Sequence, residues 1–112
     1  MTDQYHDWRN ALATKGPVAF VAGKPCAGFY RVRDRNADRS IRWDAVAIWY
    51  DDNGARCKRT GPRLSPTHLD EIDALFASCN SAPIPYELYQ HVAAGGAWPD
   101  AVEPIAAPIW RP

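Results

Sequence analysis

The sequence predicts one α+β domain: an N-terminal helix, a three- to four-stranded antiparallel sheet with a β-hairpin, two further helices and a proline-rich extended tail. Three observations lead to this class. A chain of 112 residues has room for one hydrophobic core. A hydrophobic content of 46% excludes a wholly disordered chain, and 10 Pro and 7 Gly are too few for a low-complexity chain. The apolar spacing changes from two residues to 3.6 after Gly61-Pro62. We expect the domain to cover residues 1–97 and the tail, residues 98–112, to form a strap.

The N-terminal part of the chain predicts a helix followed by two strands. Residues 3–14 carry an apolar stripe at helical spacing, formed by Tyr5, Trp8 and Leu12. The apolar run 17–22 predicts a short buried strand. Residues 28–33 predict a second strand, because their side chains alternate in character. Its one side carries Phe29, Arg31 and Arg33.

The middle of the chain predicts a β-hairpin. Residues 41–50 are rich in aromatic and β-branched residues, and Asn53-Gly54 is typical of a type I′ turn. Residues 55–60 are expected to pair back. A two-residue loop of Asn53 and Gly54 would place Trp49 opposite Lys58, whereas a longer loop with a bulge would exchange the two faces of the strand.

Two helices follow the hairpin. Residues 66–79 predict a helix with Ser65 as its N-cap, which we expect to pack against one face of the sheet. Its apolar stripe consists of Leu69, Ile72, Leu75, Phe76 and Cys79. Residues 86–94 predict a shorter helix that ends at Gly95-Gly96. The prolines that recur from Pro99 onward exclude a regular helix in the tail.

The formal net charge of zero conceals an asymmetry along the chain. The segment from Lys24 to Arg63 carries a net charge of +5, because it has 10 basic and 5 acidic residues. The remainder carries −5, from 3 basic and 8 acidic residues. Our first interpretation is internal pairing between the basic sheet and the acidic helices. The alternative is an anionic partner for the middle segment.

One face of the hairpin carries aromatic and basic side chains together. The candidate binding residues on this face are Trp43, Trp49, Arg56 and Lys58, and Arg31 and Arg33 of the preceding strand are candidates as well. Rings interleaved with cations on an open sheet suit single-stranded nucleic acid, since bases stack and phosphates are neutralised. Ordinary cross-strand cation–π packing gives the same pattern.

The C-terminal side has more aromatic side chains than two small helices need for a core. The candidate interface residues there are Tyr86, Tyr89 and Trp98. Tyr and Trp dominate protein interfaces, so these rings predict a protein partner. The alternative is that the tail folds back and covers them.

The search for chemistry predicts no catalytic residue, no metal site and no cofactor. Cys57, His68 and Cys79 lack the paired spacing of zinc ligands, and no phosphate-binding glycine motif is present. Three cysteines at long spacing suit reduced thiols, and the start of the chain lacks the pattern of a signal peptide. We therefore expect a non-enzymatic protein in the cytoplasm, without a membrane partner and with its oligomeric state open, a homodimer included.

Four segments resemble small phage- and prophage-encoded proteins of unassigned function. They are residues 28–33, 45–54, 83–89 and 96–100, within a likeness that spans about residues 26–100. The resemblance implies an accessory or counter-defence factor, of the kind that includes anti-CRISPR proteins, which act by stoichiometric binding. The favoured hypothesis is a binder that inhibits or modulates a host protein or a protein–RNA complex. The alternative is a single-stranded nucleic-acid binder that uses the hairpin face.

Overall fold

A computed structural model describes residues 3–99 and confirms the α+β class. The chain forms six elements in this order: α1 His6–Thr14, β1 Gly28–Arg35, β2 Ile41–Asp51, β3 Gly54–Arg59, α2 Leu69–Cys79 and α3 Tyr86–Ala93. The predicted strap lies outside the described residues from residue 100 onward. Within residues 3–99, no helix has the length and apolarity needed to cross a membrane.

The three strands form an antiparallel sheet in the order β1-β2-β3. The predicted hairpin loop was wrong by one position, because the two loop residues are Asp52 and Asn53, and Asp51 pairs with Gly54. The Asp51 carboxylate accepts the Asn53 amide at 2.8 Å, which turns the chain early. Trp49 therefore faces Arg56 rather than Lys58. The shift along β3 is two residues, so each side chain keeps its predicted face.

Helices cover both faces of the sheet, where the sequence analysis placed a helix on one face only. On the first face, side chains of α1 and α2 pack on β1 and β2 in a core that includes Trp8, Tyr30, Ile48, Ile72 and Phe76. On the second face, Ile84 and Leu88 pack on Ala45 and are fully buried with it. Small residues on β2 leave room for α3 to lie close to the strand.

The predicted strand over residues 17–22 is wrong, because this segment lies outside the sheet as an irregular connection. Val18 is buried and donates its amide to the Asn80 carbonyl oxygen at 2.7 Å. Phe20 and Val21 are exposed, although the Phe20 ring stacks at 5.7 Å on that of Phe76. Residues 17–22 are therefore apolar in sequence but irregular in structure, with only Val18 buried in the core.

Two boundaries also differ from the predictions. β1 continues to Arg35, and α2 begins at Leu69. Ser65 does not cap α2, because its hydroxyl oxygen accepts the Arg59 amide at 3.0 Å. Outside the named strands, an isolated bridge joins Tyr30 of β1 to Pro83, and Arg31 donates its amide to the Ala82 carbonyl oxygen at 3.0 Å.

Candidate functional site

Aromatic side chains from three elements line one open groove at the start of β1. This aromatic groove has a volume of about 330 Å³ and is lined by Tyr5, Trp8, Arg9, Phe29 and Tyr86. Residues before and within α1 supply three of these side chains, β1 supplies one, and the first residue of α3 supplies the last. The groove therefore exists only when α1 and α3 both pack on β1.

The Phe29 ring is the centre of this arrangement. Its centroid lies 5.8 Å from that of Tyr5, with the ring planes only 10° apart. The Trp8 ring meets it edge-on at 5.3 Å, and the Tyr86 ring lies at 4.8 Å. Such offset and edge-on pairs stabilise one another beyond simple burial, so the rings are held in place before any ligand arrives.

The backbone fixes the position of Trp8 in the groove. Its indole N–H donates to the carbonyl oxygens of Phe29, at 3.0 Å, and Ile84, at 3.1 Å. A Cβ atom at Gly28 would lie 2.6 Å from the Trp8 Cβ, so only glycine lets β1 approach the indole this closely. These contacts lock α1 against the edge of the sheet.

Polar atoms complete the rim of the groove. Arg9 forms an ion pair with Asp3 and remains largely exposed. Tyr86 is 44% exposed, and its hydroxyl accepts the side-chain amide of Gln90 at 2.9 Å. Burial, followed by the proximity of Tyr86, raises the pKa of Tyr5, so its phenol stays protonated at neutral pH. The rim thus offers hydrogen-bonding groups beside apolar rings.

The structure brings Arg31, Trp43 and Trp98 together on the second face of the sheet. The Arg31 guanidinium lies 4.0 Å from the Trp43 ring centroid. The Trp98 indole N–H donates to the Trp43 carbonyl oxygen at 2.8 Å. All three are half-buried, and the Trp43 ring is already stacked by a cation.

The middle of the hairpin face is closed, where the sequence analysis expected an open sheet. Ala45 and Ala47 are buried, and α3 lies over this part of β2. Half-buried Trp49 faces Arg56, whose guanidinium holds Asp51 at 2.8 Å. That hydrogen bond lowers the pKa of Asp51. Lys58 is exposed opposite Ala47, and Arg33 is exposed opposite Trp43.

The predicted C-terminal aromatic residues divide between packing and surface. Tyr89 is half-buried with its ring 5.0 Å from that of Phe29, and Trp98 packs against the Ile84 and Leu88 cluster. Of this set, Tyr86 lines the aromatic groove. Tyr5, Trp8, Arg9 and Phe29 were not predicted from the sequence as site residues. Their spacing marks only a helix stripe and a strand face, and nothing local shows that the two meet.

Charged side chains form a second cluster at the far end of the sheet. This arginine cluster consists of Asp34, Asp44, Arg42, Arg59 and Arg63. Asp44 is 1% exposed and is held by Arg42 at 2.8 Å and by Arg59 at 2.6 Å. These arginines pair with carboxylates of their own basic segment, so the predicted neutralisation by acidic helices does not apply to them.

The three thiols lie in environments that disfavour the thiolate. Burial, reinforced by Asp7, raises the pKa of Cys26 to about 11. Burial raises the pKa of Cys57 to about 12 and raises that of Cys79 as well. Across the part of the chain that the structure describes, no three His, Cys, Asp or Glu side chains are grouped so as to hold a metal ion.

Comparison with known proteins gives no match for this chain: no family model, no curated protein and no solved structure is similar to it.

Proposed function

We propose that this protein is a non-catalytic binding protein that recognises a partner protein through the aromatic groove. The observation that carries the proposal is the gathering of Tyr5, Trp8, Phe29 and Tyr86, with Arg9, around one open groove. Aromatic and arginine side chains are the residues that dominate the binding energy of protein interfaces.

The geometry of the groove favours binding at low entropic cost. The rings of Tyr5, Trp8 and Tyr86 each contact the Phe29 ring. The Trp8 indole is also hydrogen-bonded to two backbone carbonyl oxygens. Little side-chain freedom is therefore lost when a partner covers them. An apolar or aromatic side chain of the partner would fill the groove, and Arg9 and the Tyr86 hydroxyl would offer polar contacts at its rim.

The biological setting that we propose follows from the sequence resemblance. A small phage or prophage accessory protein acts in the cytoplasm of the host by stoichiometric binding. Its target would be a host defence protein or ribonucleoprotein complex, which it inhibits or modulates as anti-CRISPR proteins do. Part of the resemblance coincides with the groove, since residues 28–33 contain Phe29 and residues 83–89 contain Tyr86.

A second candidate function is single-stranded nucleic-acid binding on the hairpin face. The observation that favours it is exposed Lys58 on the same face as Trp49 and Arg56. The covered alanines and the occupied Trp43 ring reduce the stacking surface there, so this candidate ranks second.

Affinity capture from a bacterial host lysate, with and without nuclease, tests the proposal. The tagged wild-type protein is expected to retain a protein partner after nuclease treatment. Tyr86→Ala is expected to lower the retained amount at least tenfold, because truncation of a central interface ring costs about 2 kcal/mol or more. Phe20→Ala is the matched control, since Phe20 is 45% exposed but lies away from the groove.

Two results would overturn the proposal. Equal capture by wild type and Tyr86→Ala would exclude the groove as the binding surface. A partner that disappears on nuclease treatment, and that is lost in Lys58→Glu but not in Tyr86→Ala, would establish the second candidate instead.

A further inference from the structure

A second groove lies at the opposite end of the sheet from the aromatic groove. This basic groove has a volume of about 380 Å³ and is lined by Arg33, Asp34, Arg35 and Arg63. Phe29 is the second residue of β1 and Arg35 is its last, so these two positions are separated by about 20 Å, at about 3.4 Å per residue. The basic groove is a different surface, so a ligand bound there is independent of the proposed function.

Arginines outnumber carboxylates around the basic groove. Two aspartates, Asp34 and Asp44, are shared among Arg42, Arg59 and Arg63. Arg33 and Arg35 add two more guanidinium groups at the groove itself. The five arginines exceed the two aspartates by three charges, and the loop that follows β1 adds one charge of each sign, from Asp38 and Arg39. The fixed field at this end of the molecule is therefore positive.

The two strand arginines are available to a ligand. Among residues 3–99, Arg33 forms no ion pair, and Arg35 uses its side chain for one hydrogen bond, to the Arg39 carbonyl oxygen at 3.1 Å. Both side chains are exposed. Arg63 is held in place by Asp34 and still has 63% of its side chain exposed.

The Asp34 carboxylate organises the groove rather than neutralising it. It contacts Arg42, Arg59 and Arg63 together, so each guanidinium receives only part of its charge. The Arg35 amide donates to Asp34 at 2.8 Å. This arrangement fixes Arg63 beside β1 before a ligand binds, which reduces the ordering cost of binding.

We propose that the basic groove binds the phosphodiester backbone of a single-stranded nucleic acid. A guanidinium group matches a phosphate with two parallel hydrogen bonds, and an arginine-lined groove can follow a strand of phosphates. Arg33 and Arg35 project from the same side of β1 about 7 Å apart, a separation that neighbouring phosphates of an extended strand can adopt. The groove is also larger than one phosphate group requires.

Fluorescence anisotropy with labelled 12-nucleotide DNA and RNA single strands tests this site. Three phosphate contacts predict a slope of log K against log salt of about −2, so the affinity falls about 20-fold between 50 and 200 mM salt. The double substitution Arg33→Gln and Arg35→Gln is expected to reduce the slope to about −0.7 and the affinity at 50 mM salt at least tenfold.

The control removes the same charge from the exposed surface outside both grooves and outside the hairpin. Lys15→Gln with Lys24→Gln is expected to keep the wild-type slope. All four substituted positions are exposed, so both double variants should retain the wild-type melting temperature within a few degrees. If the Arg33→Gln, Arg35→Gln variant does not fold, the variant Arg33→Lys with Arg35→Lys is measured in its place. It keeps the positive charge, so it is expected to retain the salt slope of the wild type with a weaker affinity.

Competitors identify the chemistry of the ligand. Inorganic phosphate is expected to compete only weakly, because it fills one of several contacts, and polyglutamate is expected to compete less well than an unlabelled strand of equal charge. Absence of saturable binding, equal losses in both double variants, or polyglutamate as effective as the nucleic acid would each overturn the proposal.

Discussion

Trp8 of α1 donates its indole N–H to the carbonyl oxygen of Phe29 in β1, at 3.0 Å, and shares it with Ile84, at 3.1 Å. One buried side chain thus joins the N-terminal helix, the edge strand and the segment that leads into α3. The same contacts shape the aromatic groove, because Trp8 and Phe29 both line it. Stability and the proposed binding surface are coupled at this residue.

Trp8→Phe should lower the free energy of unfolding by about 2–4 kcal/mol, since it removes ring volume and the shared indole N–H. The Ile84 carbonyl oxygen then loses this donor, whereas the Phe29 oxygen still accepts the Ile84 amide at 2.9 Å. Urea unfolding followed by circular dichroism measures the change. Trp49→Phe is the control, because Trp49 is half-buried and lies on the hairpin. It should cost less than about 1 kcal/mol. Equal losses in the two variants would show that the Trp8 hydrogen bonds contribute nothing.

Gly61 is required by the arginine cluster. Its φ is +91°, and a Cβ atom there would lie 2.8 Å from Asp44 Cγ. Gly61→Ala should therefore destabilise the protein by more than the roughly 1 kcal/mol expected for the backbone conformation alone. Gly23→Ala separates the two causes, because Gly23 has a φ of +81° with open space around it. Thermal unfolding should place Gly61→Ala clearly below Gly23→Ala, and identical melting temperatures would contradict the close contact.

Acid should destabilise the protein through the carboxylates of its turns and ion pairs. Hydrogen bonds lower the folded-state pKa of Asp51, chiefly from Arg56, and that of Asp38, chiefly from Ser40. A lowered folded-state pKa gives stability that is present above the unfolded value of about 3.9 and is lost as the pH falls through the folded value. Asp51→Asn should therefore flatten the fall of the melting temperature below about pH 4 relative to the wild type. A steeper fall of the melting temperature in Asp51→Asn than in the wild type would contradict a stabilising role of the ionised Asp51 carboxylate.

The thiols should react slowly in the folded protein. Burial raises the pKa of Cys26 from 9.0 to about 11, which lowers its thiolate fraction at pH 7.5 by about 100-fold. Iodoacetamide labelling followed by mass spectrometry should therefore be about tenfold slower at Cys26 in buffer than in urea, because the greater nucleophilicity of a more basic thiolate offsets part of this decrease. Labelling of Cys26 at the unfolded rate would indicate an exposed thiolate and would reopen a nucleophilic role.

Local patterns were sufficient to predict most of the fold. Alternation over residues 28–33, the aromatic run over 41–50 and the apolar stripe from Leu69 to Cys79 each identify their element, because side-chain spacing reflects which face is buried. The turn position was harder to predict, since Asp51 as well as Asn53-Gly54 favours a turn. The run over residues 17–22 failed because apolar content alone does not supply a neighbouring strand.

Long-range contacts explain what the sequence could not predict. The aromatic groove joins Tyr5, Phe29 and Tyr86, which are 81 positions apart from first to last. The placement of α3 on the second face depends on Ala45 fitting under Leu88. Both depend on how elements pack together, and neither leaves a periodic signal in the chain.

Site-specific photo-cross-linking tests the central claim, that the aromatic groove binds a protein, most directly. A photoreactive phenylalanine analogue in place of Tyr86 lies in the groove, and the same analogue in place of exposed Ala77 lies on α2 away from it. Irradiation in nuclease-treated host lysate should give a discrete protein adduct from position 86 and none from position 77. No adduct at position 86, or the same adduct from both positions, would contradict the account.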